Sequence, residues 1–171
     1  MTFHRDDFAD ALAGLEHGDF SRLEPLFESR MVEWHKKGLF DAHPAALAEA
    51  LTCACFLGQV DAAEYFLRQG VAPSGGAKTG LDAFHWAANR GQLAAVKLLL
   101  RWGARLDTRN MYGGDVLGAT VWAAIHEPRN QQMAVIEELL KAGARFDREH
   151  YPTGRQDIDE LLKKYGAVAP D

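Results

Sequence analysis

Apolar positions recur along the chain with helical spacing, and the apolar runs stop at glycines set a regular distance apart. "AEYFLRQGVA" closes at Gly70, "VKLLLRWGAR" at Gly103 and "IEELLKAGAR" at Gly143, a spacing of 33 residues and then of 40, which is 33 plus 7. Upstream of each glycine the order is also shared: a short apolar helix, a tight turn, then a longer helix. "EALTCACFLGQVDAAEYFL" aligns in this way with "DAFHWAANRGQLAAVKLLL", with Gly58 and Gly91 at equivalent turns. In the second of these stretches Asp82 is placed to accept the free N–H groups that open a helix running through Arg90. A second helix is predicted over Leu93 to Trp102, burying a stripe of Leu93, Val96, Leu99 and Leu100. Gly103 then ends it in the left-handed conformation, where a side chain would cost about 1 kcal/mol.

A repeat of this length means a stack of helix pairs in which each unit buries its apolar face against its neighbours. The predicted fold is therefore all-α, a single solenoid domain over 1–171 made of helix-turn-helix units with hairpin-like connecting turns. Its units span 42–76, 77–109 and 110–147, and the seven additional residues of the last fall between its helices, where Pro128 marks a loop. Residues 1–41 form an N-terminal capping pair that turns at Gly18, with a lengthened second helix that Pro25 bends or delays. Residues 148–171 supply a capping helix carrying Ile158, Leu161 and Leu162, because the 23 residues from Gly143 to Gly166 are too few for a full unit.

The middle unit resembles an ankyrin repeat. The family's opening signature is TPLHxA, and this chain has Asp82, Ala83, Phe84, His85, Trp86 and Ala87 in its place. Thr and Pro are lost, while His85, Ala87, Gly91, the apolar ladder and the Gly103–Ala104 pair hold their positions. The preceding unit reads Glu49, Ala50, Leu51, Thr52, Cys53, Ala54, without the His; the following one opens with Asp115, Val116, Leu117 and Gly118. The resemblance covers about residues 40–166 and implies a non-catalytic module that binds a protein partner on a concave surface of hairpin tips and inner helices. Transferred by position, that surface comprises Lys78, Thr79, Leu81, Asn89, Arg90, Trp102, Arg109, Met111 and Tyr112. Trp102 and Tyr112 carry the most weight, since large aromatics anchor interfaces. Adaptor, inhibitor and immunity-type roles all fit such a module.

Charge narrows the partner. The 171 residues are 47% apolar and 25% charged with net charge −5, a globular composition poorly suited to holding phosphate backbones, so no nucleic acid is expected. The N-terminus is acidic where a secretory signal would be basic, and no apolar run approaches the ~18 residues needed to cross a bilayer. A soluble cytoplasmic monomer is the expectation. Residues 1–76 hold 6 basic and 12 acidic side chains, whereas residues 77–113 hold 6 basic and 2 acidic, net +4. That central excess points to a partner with an acidic surface patch.

Several residues invite chemistry. His85 lies between two aromatics, but no nucleophile motif accompanies it, and the resemblance gives its kind a structural hydrogen bond. Cys53 and Cys55 point to different helix faces, too far apart to bridge, and lack the further ligands of a zinc site, so no metal or cofactor is expected. The competing reading is a small enzyme or nucleotide binder. It would use the Gly-rich turn from Gly75 to Gly80, whose Gly-Gly-Ala-Lys-Thr order departs from a Walker loop, or the inserted "HEPRN" loop with His126 and Glu127 as acid and base.

Overall fold

A computed structural model describes residues 5–168, with side chains described from Asp7 onward; the outermost residues of both predicted caps, 1–4 and 169–171, lie outside the described residues. The helices are α1 (Arg5–His17), α2 (Glu24–Ser29), α3 (Met31–Lys36), α4 (Pro44–Leu57), α5 (Val60–Arg68), α6 (Ala83–Asn89), α7 (Leu93–Arg101), α8 (Val116–His126), α9 (Gln132–Lys141) and α10 (Gln156–Lys164), and no strand occurs among the described residues. They stand in two rows. The first helices of the units, α1, α4, α6 and α8, pack in sequence, and α3, α5, α7, α9 and α10 form the parallel row behind them. A single continuous apolar cluster runs through both rows from Ala11 to Ala167.

Local chemistry explains where the helices begin and end. The Asp82 carboxylate accepts the His85 backbone N–H at 2.8 Å and so opens α6, and the Asp115 carboxylate accepts the Gly118 N–H at 2.8 Å and opens α8. At the far end of α7, Gly103 adopts φ +80°, its N–H donating to the Leu100 carbonyl at 3.1 Å while the Ala104 N–H reaches Leu99 at 2.9 Å. These two bonds satisfy carbonyls that the helix leaves free. The same closure recurs at Gly70 and Gly143, which accounts for the glycine spacing in the sequence.

The units are also stapled to one another. Gln92, just before α7, donates its side-chain amide to the Phe56 carbonyl at the end of α4 (3.0 Å), and Gln132 donates in the same way to the Asn89 carbonyl at the end of α6 (2.9 Å). Arg155 closes the series at the cap: it donates to the Ala124 carbonyl near the end of α8 at 3.0 Å while its guanidinium grips Asp157. Each bond gives an orphan helix-end carbonyl a partner from the next unit.

Several expectations need correction. In α7 the fully buried residues are Ala95, Val96, Leu98 and Leu99, whereas Leu93 and Leu100 are only partly covered. The helix is packed by α5 and α9 on its two sides and by α6 in front, so its buried arc is wider than one stripe. The N-terminal second helix is not lengthened. A 3-10 turn at Phe20–Leu23, α2 and α3 replace it, Pro25 sits in the first turn of α2 where its missing N–H costs nothing, and the break falls at Arg30 (φ −133°, ψ −39°). Glu49, aligned with the capping Asp82, lies inside α4, because Pro44 starts that helix more than a turn earlier. Finally, the insertion in the third unit is not all loop. α8 has 11 residues against 7 in α6, so four of the additional residues extend the helix and the remainder lengthen the turn that contains Pro128.

That turn ends at Gln131, which holds φ +65° where Gly58 and Gly91 hold +74° and +69°. It is the one non-glycine residue with positive φ among the described residues. Gln131→Gly is expected to raise the unfolding free energy by about 0.5–1 kcal/mol, since glycine removes the Cβ strain of that conformation at some cost in unfolded-state entropy. Urea denaturation checks this, and a loss of stability would contradict it.

Candidate partner-binding groove

The hairpins are fixed to the inner helices before any ligand arrives. His85 is 2% exposed and its Nε2 faces the Thr108 carbonyl at 2.9 Å; because a carbonyl only accepts, Nε2 carries the proton. The Trp86 indole N–H donates to the Thr79 hydroxyl at 2.8 Å, and the Met111 N–H donates to the Gly80 carbonyl at 2.8 Å, joining neighbouring hairpin tips. The Asn110 side-chain oxygen accepts the N–H groups of Tyr112 (3.0 Å) and Gly114 (3.1 Å), a turn that holds the Tyr112 ring in solvent.

Between the hairpins of residues 109–115 and 146–153 lies a groove of about 1020 Å³. Its floor is one face of α8, where Gly118, Ala119, Trp122 and Ile125 follow one another at helical spacing, continued by Trp86 and Asn89 of α6. Gly118 occupies the position that His85 fills one unit earlier, so no imidazole closes the floor against the last hairpin. Three large apolar side chains meet here with most of their surface in water: Tyr112 is 81% exposed, Met111 64% and Trp122 54%.

Of the residues transferred by position, the structure brings together Thr79, Leu81, Asn89, Arg109, Met111 and Tyr112 along this groove. Lys78, Arg90 and Trp102 do not line it. Lys78 has its backbone N–H bound by Glu49 at 2.9 Å, and Trp102, 40% exposed, caps the end of α7 in the rear row. The Arg90 guanidinium lies over the Phe56 ring at 4.1 Å, with its pKa lowered by burial and by the neighbouring charge of Arg129. Trp122 and Trp86 were missed by the positional transfer. The signal for Trp122 was present, since it stands 33 residues after Asn89.

The charge along the groove differs from that of the central stretch of sequence. Most of the central excess of basic residues lies off the groove: Arg90 is stacked on Phe56, and Lys78, Lys97, Arg101 and Arg105 do not line the cavity. The groove instead presents the carboxylates of Asp115, Glu127 and Asp147 against the single guanidinium of Arg109, which donates to the Gly113 carbonyl at 3.0 Å.

The Gly-rich turn is occupied by the protein itself. The N–H groups of Gly75, Gly76, Lys78 and Gly80 donate to Ala72, Ala48, the Glu49 carboxylate and Ala77, so the donors that would cradle a phosphate are engaged. Glu49 is 2% exposed and one of its oxygens has no partner; burial raises its pKa, against the lowering effect of the Lys78 N–H and charge. A carboxyl whose folded pKa is raised favours folding in its protonated form, and that contribution is lost as pH rises through the folded value. Glu49→Gln is therefore expected to gain stability relative to wild type as pH rises above the ordinary glutamate value of about 4. Denaturation curves at several pH values test it; parallel pH profiles would contradict it.

Cys53 and Cys55 are free and fully buried, and burial pushes the Cys55 thiol up to about 12 and Cys53 higher still. Among the described residues no group of three His, Cys, Asp or Glu is placed to hold a metal, and no helix is long and apolar enough to cross a membrane. The His126 ring lies against Trp122 at 4.6 Å, while Glu127 lines the groove.

A family model described as ankyrin repeats, in three copies, matches residues 26–110. No curated protein matches the chain.

Proposed function

The chain belongs to the ankyrin-repeat family, whose repeats are protein-interaction modules, and from that premise we propose that it is a non-catalytic monomer that binds a protein partner in the cytoplasm through the groove between its last two hairpins. Its role is that of an adaptor, an inhibitor or an immunity-type protein, with no cofactor. The observation that carries this reading is the convergence of Trp122, Tyr112 and Met111, all largely exposed, on a groove whose walls are pre-set by hydrogen bonds. Rigid aromatic anchors lose little entropy on binding and exclude water from a wide area. The enzymatic alternative loses support because the Gly-rich turn has its donors engaged and the His126 ring leans on Trp122, 4.6 Å away with the planes tilted by 38°.

Affinity purification from the native host tests the proposal with five forms of the protein. Wild type and Trp102→Ala should retain the same partner. Trp122→Ala and Tyr112→Ala should each weaken it by about 1–3 kcal/mol, mainly through faster dissociation. A partner held equally by the Trp122→Ala, Tyr112→Ala double variant would remove the groove from consideration.

A further inference from the structure

Resting on the groove as the binding surface, we infer that its partner presents a basic segment, with an arginine or lysine side chain laid along Trp122 and its charge among Asp115, Glu127 and Asp147. Three carboxylates line the groove. Asp115 and Asp147 each accept one backbone N–H, from Gly118 and Glu149, without losing their charge. The opposing cation, Arg109, is turned onto the Gly113 carbonyl, and the His150 ring stands 3.6 Å from the Asp147 carboxylate.

The geometry adds what charge alone lacks. The Trp122 indole is 54% exposed on the groove floor, and a cation over an indole face gains attraction that is largest for Trp among the aromatic side chains. The methylene stem of a Lys or Arg would cover Trp122 and Ile125 while its head remains near the carboxylates. Gly118 and Ala119 leave the floor open enough for a backbone to approach. An acidic segment would meet these carboxylates as like charges and be rejected. Net charge −5 on the whole chain favours the approach of the same class of partner.

A random dodecapeptide library displayed on phage and panned against the full chain tests this. The expected consensus places Arg or Lys beside an apolar residue. Synthetic peptides of that consensus should bind more weakly as salt is added, lose about tenfold in affinity to Glu127→Gln with Asp147→Asn, and lose about tenfold or more to Trp122→Ala. Asp147→Asn keeps an oxygen for the Glu149 N–H and Glu127 is exposed, so the fold should survive; unchanged thermal melting verifies it. An acidic or uncharged consensus that still requires Trp122 overturns the basic-segment inference and leaves the groove standing. A consensus that binds Trp122→Ala as well as wild type overturns the groove itself, and enrichment of no sequence overturns both.

Discussion

Leu99→Ala is expected to lower the unfolding free energy by about 2–5 kcal/mol, near the upper part of that range. Leu99 is 0% exposed in α7, the middle helix of the rear row, where α5 and α9 press from either side and α6 from the front. A cavity there cannot collapse easily. The Gly103 closure fixes one end of the helix and the Gln92 staple fixes the other, so the neighbouring units are not free to slide into the space. In a solenoid, stability is close to a sum of unit and interface terms, and α7 contributes to two interfaces at once. Leu100→Ala provides the comparison. Leu100 is only partly buried, and its loss should cost clearly less. Equal costs for the two, measured by chemical denaturation, would mean that the depth of burial within α7 has been misassigned.

The repeat itself was readable because its punctuation is chemical. Asp82, Gly91 and Gly103 each solve a backbone problem that only a few residue types can solve; the Gly103 closure recurs at Gly70 and Gly143, the Gly91 turn at Gly58 and the Asp82 cap at Asp115. The N-terminal pair lacked such a template, and nothing in "SRLEPLFESRMVEWHKK" announces that Arg30 breaks the helix between two apolar stretches. The extension of α8 was legible but measured against the wrong template. "VLGATVWAAIH" contains no proline before Pro128, yet the first helix was given the length of α6, which put all the additional residues in the loop. Glu49 misled because alignment on glycines fixes where a unit ends and says little about where its first helix begins.

The groove was half legible. Hairpin-tip positions follow from the resemblance, and Thr79, Leu81, Arg109, Met111 and Tyr112 were reached in that way. The charge of the site was not, because it is assembled across units. Summing residues 77–113 counts Arg90, Lys97 and Arg101, which lie off the groove, and omits Asp115, Glu127 and Asp147, which lie on it. A linear window records neighbours along the chain, whereas a groove in a stacked fold collects residues about one repeat apart.

Gly91→Ala should be the most damaging glycine substitution at the turns between paired helices, costing about 2–4 kcal/mol. Two effects add. At φ +69° a Cβ carries the strain of the left-handed region, about 1 kcal/mol. The same Cβ would run into the backbone carbonyl of Asn130 in the inserted turn. That carbonyl has little freedom to retreat: the Gln132 side chain accepts the Arg129 N–H at 2.7 Å while donating to the Asn89 carbonyl at 2.9 Å, so the turn is held against the end of α6 from both directions. Gly103→Ala separates the two contributions. Its φ is +80°, but open space surrounds the new Cβ, so it should show the conformational cost alone. Displacing Asn130 would also disturb Glu127 at the head of the same turn and Trp122 one helical turn before it. Gly91→Ala is therefore expected to weaken partner binding as well as stability, while Gly103→Ala lowers stability and leaves binding intact. Both are measurable on purified variants by denaturation and by titration with a groove-binding peptide. Equal destabilisation by the two substitutions would show that the inserted turn yields freely and that the Gln132 staple does not hold it.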